Sequence, residues 1–490
     1  YLPSIIQHRG FDLNRIVSIM YASTDGIFGS VAYVFSTFIF LFIIFGTFIQ
    51  RSGAGAFFID LAKAVVGRIT GGPGLTAVVS SGILGSVIGS STANTAITGA
   101  VTIPMMISRG YPPHVAASVE AVVSIGGQFL PPVMGAGAFL MAAFIGIPYI
   151  QVAKAGLIPA LLFFASMLFM VYFEAKRLHI EKIPKDEIPR VGEVLKRGWL
   201  FFFPIGLIIY LLVRGYSPSL AGFWAIVSVF AASLVSKDRK ESLKGLGRTL
   251  AESGRSSLVM AVTAGIVGII IMAIAMPGLG MKFSAIVLQL SGGKLLIALF
   301  LVMLASFILG MGMNVTSAYL LLVTLAAPAL VNIGVPLITG HFFIFWTSQL
   351  AVITPPVCLS AYVAAAIAKS DPWKTGVYSL KMGLAIYYIP LLFIFIPYLL
   401  WQGSPVNVIW SSATALIGVF SFSSACQGFL LIETRFLERM MLFGSALGLV
   451  IFGWMTDLMG LLLLAGVILL QRNRANMDRD LRAATTEKIG

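Results

Sequence analysis

Apolar positions in this chain fall in long unbroken runs, not in the alternating or three-to-four spacing of half-buried elements. "SVAYVFSTFIFLFIIFGTFI" (Ser30–Ile49) and "YSLKMGLAIYYIPLLFIFIPYLL" (Tyr378–Leu400) each supply the roughly 20 apolar residues a helix needs to cross a bilayer. Runs of this kind recur along all 490 residues, which predicts on the order of ten spans. The fold class expected is an all-α polytopic membrane protein. The runs are broken by polar, glycine-rich or proline-rich knots: "GSVIGSSTANTAITG" (Gly85–Gly99), "SIGGQFLPPVMGAG" (Ser124–Gly137), "GMGMNVTSAY" (Gly310–Tyr319) and Thr354-Pro355-Pro356.

These knots belong to an internal repeat. A shift of 224 positions sets Pro104 on Pro328, Gly110 on Gly334 and Pro112 on Pro336. It also sets Ser124 on Ser348, Pro131-Pro132 on Pro355-Pro356, Pro148 on Pro372 and Thr92 on Thr316. Proline is uncommon inside helices because it removes a hydrogen bond and clashes with the preceding turn. Five paired prolines without an insertion therefore indicate a duplication.

Composition confirms the membrane reading: 58% of residues are hydrophobic, 11% are charged and the mean hydropathy is +0.96. A soluble domain carries about 25% charged residues. The net charge of +14 sits in clusters at Lys176–Arg197, Lys237–Arg255 and Arg472–Lys488, beside spans. That is the positive-inside pattern, so these segments and the C-terminus are placed in the cytoplasm, within reach of anionic membrane lipid. The same placement argues against nucleic acid as a partner. Walking outward from these anchors makes Gly72–Arg109 a re-entrant hairpin entered from the cytoplasm and Gly292–Ile333 one entered from outside. The repeats are then inverted, as in many secondary transporters. Cys358 and Cys426 stand alone in apolar sequence and read as packing residues. The chain starts at Tyr1 without a signal-peptide pattern, as a fragment lacking an earlier N-terminal part would.

Irregular backbone at membrane depth is tolerated only where protein or a water-filled cavity covers it. At the first tip Gly85 and Gly89 weaken the helix, while Ser90, Ser91, Thr92, Asn94 and Thr95 supply oxygens. Gly126-Gly127 and Pro131-Pro132 break the facing segment, and Gly310, Gly312, Asn314, Thr316, Ser317 and Thr354-Pro355-Pro356 repeat these parts. Neutral oxygens with few competing charges suit a desolvated Na⁺, and helix N-termini at the same breaks suit an anion. Close helix packing by small residues explains one such serine; two tips, each followed at equal spacing by a Pro-Pro break, point to an ion and substrate site.

The runs "GGPGLTAVVSSGILGSVIGSSTANTAITGAVTIPMMISRGY", "VEAVVSIGGQFLPPVMGAGAFLMA" and "TSQLAVITPPVCLSAYVAAAIA" resemble the large membrane subunit of tripartite ATP-independent periplasmic (TRAP) transporters. "TANTAITG", "VEA" and "GGQFLPPVMGAGAF" are closer to the TAXI branch, in which small and large membrane components are commonly fused. The resemblance implies an elevator-type secondary transporter, similar to the ion transporter superfamily, in the cytoplasmic membrane of a prokaryote. It implies no cofactor, Na⁺ as coupling ion, and an extracytoplasmic solute-binding protein delivering an organic anion. Carried over, a first Na⁺ site uses Ser90, Ser91 and Asn94 with the Gly127–Pro131 break, and a second uses Gly312, Asn314, Thr316 and Thr354. Substrate is expected at Ser91, Thr92, Gln128, Asn314, Pro132 and Pro356. The small-component helices of fused members are not in this sequence, so they are either missing from it or supplied by another chain.

The organisation expected is an N-terminal span with an interfacial arm (1–71), first repeat (72–175; hairpin 72–109, broken helix 112–146), loop, scaffold spans and arm (176–256), second repeat (257–402; hairpin 292–333, broken helix 338–369), extra spans (403–471) and tail (472–490). "FFIDLAKAVVGRIT" and "KESLKGLGRTLAESGR" read as interfacial arm helices or as ordinary loop helices, and the tail as solvated helix or disorder. Glu120 lies inside a span, where an ionisable group is expensive. It could couple protons, pair with His114 or Arg109, or reach solvent. Gln128 reads as a ligand or supporting amide, and His179 and His341 as interfacial. A proton-coupled or stand-alone anion carrier is the first alternative function. An intramembrane hydrolase using Ser90 or Ser91 needs a base in reach; the span cores show no His or Lys, and Asn314 replaces Ser90 in the second tip.

Overall fold

The computed structural model describes residues 10–235, 239–451 and 453–487. All named elements in them are helical, and eight helical segments are long and apolar enough to cross a membrane. In chain order the helices that matter are α1 (Leu13–Ala22), α2 (Ser30–Arg51, with a π-helical stretch at Phe35–Ile39), α3 (Ala54–Val66), α4 (Gly72–Ile88), α5 (Ser91–Ile107), α6 (Pro113–Gly126), α7 (Ala136–Ile145) and α8 (Tyr149–Arg177). There follow α9 (Phe202–Val213), α10 (Pro218–Val235), α11 (Arg239–Ala275), α12 (Leu279–Ser291), α13 (Leu295–Gly310), α14 (Val315–Asn332), α15 (Leu337–Thr347), α16 (Leu359–Ala368), α17 (Pro372–Met382) and α18 (Ala385–Phe395). The chain ends with α19 (Pro405–Gln427), α20 (Phe436–Gly448) and α21 (Trp454–Glu487).

The duplication holds element by element: α4 and α5 correspond to α13 and α14, α6 to α15, α7 to α16, and the start of α8 to α17. It also reaches further back than the paired prolines, since α3 corresponds to α12. No paired proline marks α12, which begins directly after Pro277 and Gly278. Both arms pack along their own hairpins, α3 on α4 and α12 on α14.

Three boundaries differ from expectation. The amphipathic stretch before Arg255 continues without a break into the following span as α11, because no proline interrupts it. The run Tyr378–Leu400 is not one helix: α17 ends at Gly383, α18 ends before Ile396, and Pro397–Leu400 forms a 3₁₀ turn. At Gly383 an added Cβ would stand 2.9 Å from the Ser379 carbonyl oxygen and 2.5 Å from Ile353 Cδ1, so glycine eases the passage of the chain beside the second broken helix. The basic tail extends α21 as far as Glu487. The hairpins and broken helices form one packed body, in which α16 lies against α5 and α6, and α6 against α4, α5 and α17. Against its face stand α2 and α11, packed on one another, and α10 packs on both of these.

Candidate functional site

Each hairpin turns at a helix N-terminus. Gly89, at φ +68°, ends α4, and Ser90 caps α5 by accepting from the Ala93 amide at 3.5 Å. In the second hairpin Gly312 takes φ +77° and Asn314 caps α14, its Oδ1 accepting from the amide of Ser317 at 2.9 Å and from its hydroxyl at 3.1 Å. Ser90 and Asn314 are repeat equivalents with the same job. A side-chain cap is worth about 1 kcal/mol and leaves the remaining N–H groups of the first turn free to meet a ligand.

The broken helices also match. Pro131-Pro132 and Pro355-Pro356 are both cis, and Met134 (φ 61°) and Cys358 (φ 21°), 224 apart, both place a non-glycine residue in the left-handed region. Such a conformation costs on the order of 1–3 kcal/mol and persists only where the surroundings impose it. The sequence reading missed this pair because neither residue is glycine. It also missed Tyr149, whose hydroxyl shares its proton between the carbonyls of Pro132 (2.9 Å) and Val133 (2.6 Å). The first break is pressed onto its hairpin: a Cβ on Gly127 would lie 2.4 Å from Gly85 Cα, and the Val133 amide donates to Ser86 O at 3.1 Å.

The residues expected at the first ion site meet only partly. Asn94 Nδ2 donates to the Ser81 carbonyl at 3.0 Å, and a Cβ on Gly85 would touch both Asn94 and Gly127. Asn94 Oδ1 is buried and has no protein donor, which leaves it free for a cation. Ser90 lies 3.4 Å from the Thr92 hydroxyl, while Ser91 accepts from Ser360 of the other repeat at 3.3 Å. Gln128 joins the repeats as well, accepting from Gln349 Nε2 at 3.2 Å; Gln349 Oε1 is a second buried acceptor without a partner. At the second site Asn314 Oδ1 is engaged in capping, and the Thr354 hydroxyl lies 2.8 Å from that of Tyr387. Thr316 faces a narrow crevice against α2, α7 and α11. Pro356 O accepts from the Tyr362 hydroxyl at 2.5 Å.

Two expectations fail. Glu120 is fully buried, so it does not reach solvent, and its partners are hydroxyls, not His114 or Arg109. Arg109 pairs with Glu187 instead, holding that carboxyl below its usual range, and His114 packs edge-on against Tyr378. His341 is buried, with Nδ1 2.8 Å from the Tyr319 hydroxyl, where an interfacial position was expected.

A cavity of about 410 Å³ joins these parts. Ser90, Ala136 and Asn314 bring the N-terminal ends of α5, α7 and α14 to its wall, and Met134 supplies break backbone. The opposite wall is α2, from Ile39 to Gln50, and α11, from Glu252 to Met260. No Lys or Arg lines it; its one charged residue, Glu252, is paired with Arg51 at the far end.

Residues 6–407 match the model of the family described as the tripartite ATP-independent periplasmic transporter, DctM component. The chain belongs to this family. Among its relatives are the 2,3-diketo-L-gulonate TRAP transporter large permease protein YiaN of Escherichia coli (26% identical, covering 73% of this chain and 83% of that one) and the C4-dicarboxylate TRAP transporter large permease protein DctM of Pseudomonas aeruginosa (25%, 66% and 76%). The isethionate TRAP transporter permease protein DctMQ of Oleidesulfovibrio alaskensis is 23% identical over 75% of this chain and 57% of its own length. The DctM family consists of membrane permeases, so this chain is a transporter component and the hydrolase reading falls.

Proposed function

We propose that this TRAP permease carries a small organic anion bearing a carboxylate into the cell, driven by Na⁺ and supplied by an extracytoplasmic binding protein. The observation that carries the reading is the convergence of three helix N-termini, those of α5, α7 and α14, on one cavity lined by no basic side chain. Their positive ends and free N–H groups suit a carboxylate. Relatives named for C4-dicarboxylates and for a gulonate agree with an acid as cargo. The unpartnered oxygen of Asn94 beside the Gly85–Gly127 contact supports Na⁺ at the first tip, and Gly312, Asn314, Thr316 and Thr354 form the second site once Asn314 gives up its cap.

With the basic clusters inside, α2 begins outside. Two spans, α9 and α10, separate the end of the first repeat from α11, which therefore begins inside. The halves are then inverted and the C-terminus is cytoplasmic. In this reading the hairpins and broken helices (72–146 and 292–369) slide as one body against α2, α9, α10 and α11, an elevator motion whose sliding face includes the cavity. A small membrane component, separate or fused in the TAXI manner, completes the scaffold.

The test is uptake of a dicarboxylate panel into proteoliposomes with the binding protein present. Uptake is expected only with a Na⁺ gradient. Equal uptake in choline would end the Na⁺ assignment, and saturable uptake at micromolar substrate without the soluble partner would end the tripartite one.

A further inference from the structure

Glu120 is 0% exposed, and every polar contact it makes is with a hydroxyl. Ser81 of α4, Thr98 and Thr102 of α5, and Ser124 of α6 all donate to its carboxylate, Ser124 at 3.2 Å. The same hydroxyls have other demands. Ser81 and Thr98 oxygens lie 2.7 Å apart, Thr98 also donates to the Asn94 carbonyl at 2.8 Å, and Thr102 donates to the Thr98 carbonyl at 3.0 Å. Oxygens this close need a proton between them, and four hydroxyl protons cannot serve every one of these contacts. A proton on the carboxyl adds a fifth donor to the seven contacts and eases the shortage. A metal ion does not fit as well, because it must stand between its ligands and so holds them farther apart than a hydrogen bond does.

The fold does not require this cluster. At the repeat-equivalent positions of Ser81, Thr98, Thr102 and Glu120 stand Ala305, Leu322, Ala326 and Ile344; only Ser124 is matched, by Ser348. The second hairpin therefore packs on its broken helix without a carboxylate, through apolar side chains and one hydroxyl pair, Thr347 donating to Ser306 at 3.0 Å. Burying a carboxylate in the first joint costs free energy that the architecture itself does not demand.

We propose that Glu120, in its hydroxyl cage, is a proton-binding site of the transport cycle. The proposal rests on the reading of this chain as an ion-coupled carrier and adds a proton to its cargo. On one side of the membrane the carboxylate takes a proton from hydronium, a carboxyl O–H forming as a hydronium O–H breaks and water leaves; on the other side the carboxyl O–H breaks and the proton passes back to water. Ionised, Glu120 draws α4 and α5 onto α6 by accepting from all three. Protonated, it becomes a donor and releases one hydroxyl. Ser81 passes the change on, since its carbonyl accepts from Asn94, one turn from the tip. A neutral carboxyl also lowers the cost of moving the hairpin body across the bilayer.

No other titratable group competes for the cluster. The helices α4 and α5 bring no charged or titratable side chain, α6 brings His114, and α16 brings Tyr362. From α17 come Lys374, Tyr378 and Lys381, and from α8 come Tyr149, Lys154, Tyr172, Glu174, Lys176 and Arg177. Tyr378 and Lys381 are turned to Glu174, as is Arg177.

The experiment is an infrared titration of the purified full chain, read as the difference between wild type and Glu120→Gln, in Na⁺ and again in choline. A protonated-carboxyl band is expected that is lost in Glu120→Gln and that titrates reversibly, in both salts, over the pH range in which the chain stays folded. Thr102→Val keeps the carboxyl but removes one donor, and should shift that band and displace its midpoint upward. A carboxyl that stays protonated, or stays ionised, across the whole range is structural and overturns the proposal. So does a band that ignores Thr102→Val, which remains readable even where Glu120→Gln fails to fold. Titration in choline separates this outcome from failure of the Na⁺ reading.

Discussion

In the first hairpin Ser90 caps α5 loosely, 3.5 Å from the amide it accepts from, and Asn94 keeps a buried oxygen unbonded one turn further on. In the second, Asn314 spends its oxygen on both the amide and the hydroxyl of Ser317, and Thr354 is held by Tyr387. Glycine meets glycine where the first hairpin touches its broken helix, at Gly85 and Gly127. In the second, Gly310 meets Ala351, with ordinary room: an added Cβ would stand 3.4 Å away. One backbone plan has thus been given two chemistries, one open to a ligand and braced by a buried carboxylate, the other closed on itself. Duplication copies the breaks and caps; divergence at single side chains then decides which tip is ready to bind.

Asn94→Ala should mark that difference most strongly, raising the Na⁺ concentration for half-maximal uptake by roughly tenfold or more, the scale of losing one partner of an ion site. Thr354→Ala should raise it less, because its hydroxyl is already bonded. Uptake measured against Na⁺ concentration decides; equal shifts would erase the contrast between the tips.

Gly127→Ala should destabilise the protein by about 1–3 kcal/mol, the usual cost of overpacking, since the added methyl would meet Gly85 backbone at 2.4 Å. Ala351→Gly should cost only about 0.5–1 kcal/mol. Thermal unfolding in detergent compares them, and a tolerated Gly127→Ala would show that the first break is not clamped.

The smallest effect lies outside the membrane, where Arg109, at the end of the first hairpin, pairs with Glu187. The partner lowers the folded value for Glu187, so the stabilisation is present above the unfolded carboxylate value of about 4.3 and fades as pH falls through the folded one. Hydrogen exchange in residues 180–190 should rise slightly in acid, and Glu187→Gln should show the same rise at neutral pH. The loop's buried Ile180, Ile183 and Ile188 keep the change small. The second hairpin ends in the uncharged "VNIGVPLITG" and should show no such dependence.

Membrane embedding, the duplication, the two hairpins and the helix breaks at Pro131-Pro132 and Pro355-Pro356 were all determined by the sequence alone. Each depends on local physics: apolar run length, proline and glycine punctuation, and the recurrence of both at one spacing. The shift of 224 also contained α12 and the Met134–Cys358 pair, but these have no conspicuous residue type to announce them. Other features only the tertiary structure decided. Glu120 looked free to pair with His114 or Arg109, its neighbours along the chain, yet hydroxyls from α4 and α5 arrive first because those helices pack on its face of α6. Tyr149, Gln349 and Ser360 join the site across the fold. The convergence of three helix ends on one cavity is set by where helices distant in sequence come to rest, which no local pattern encodes.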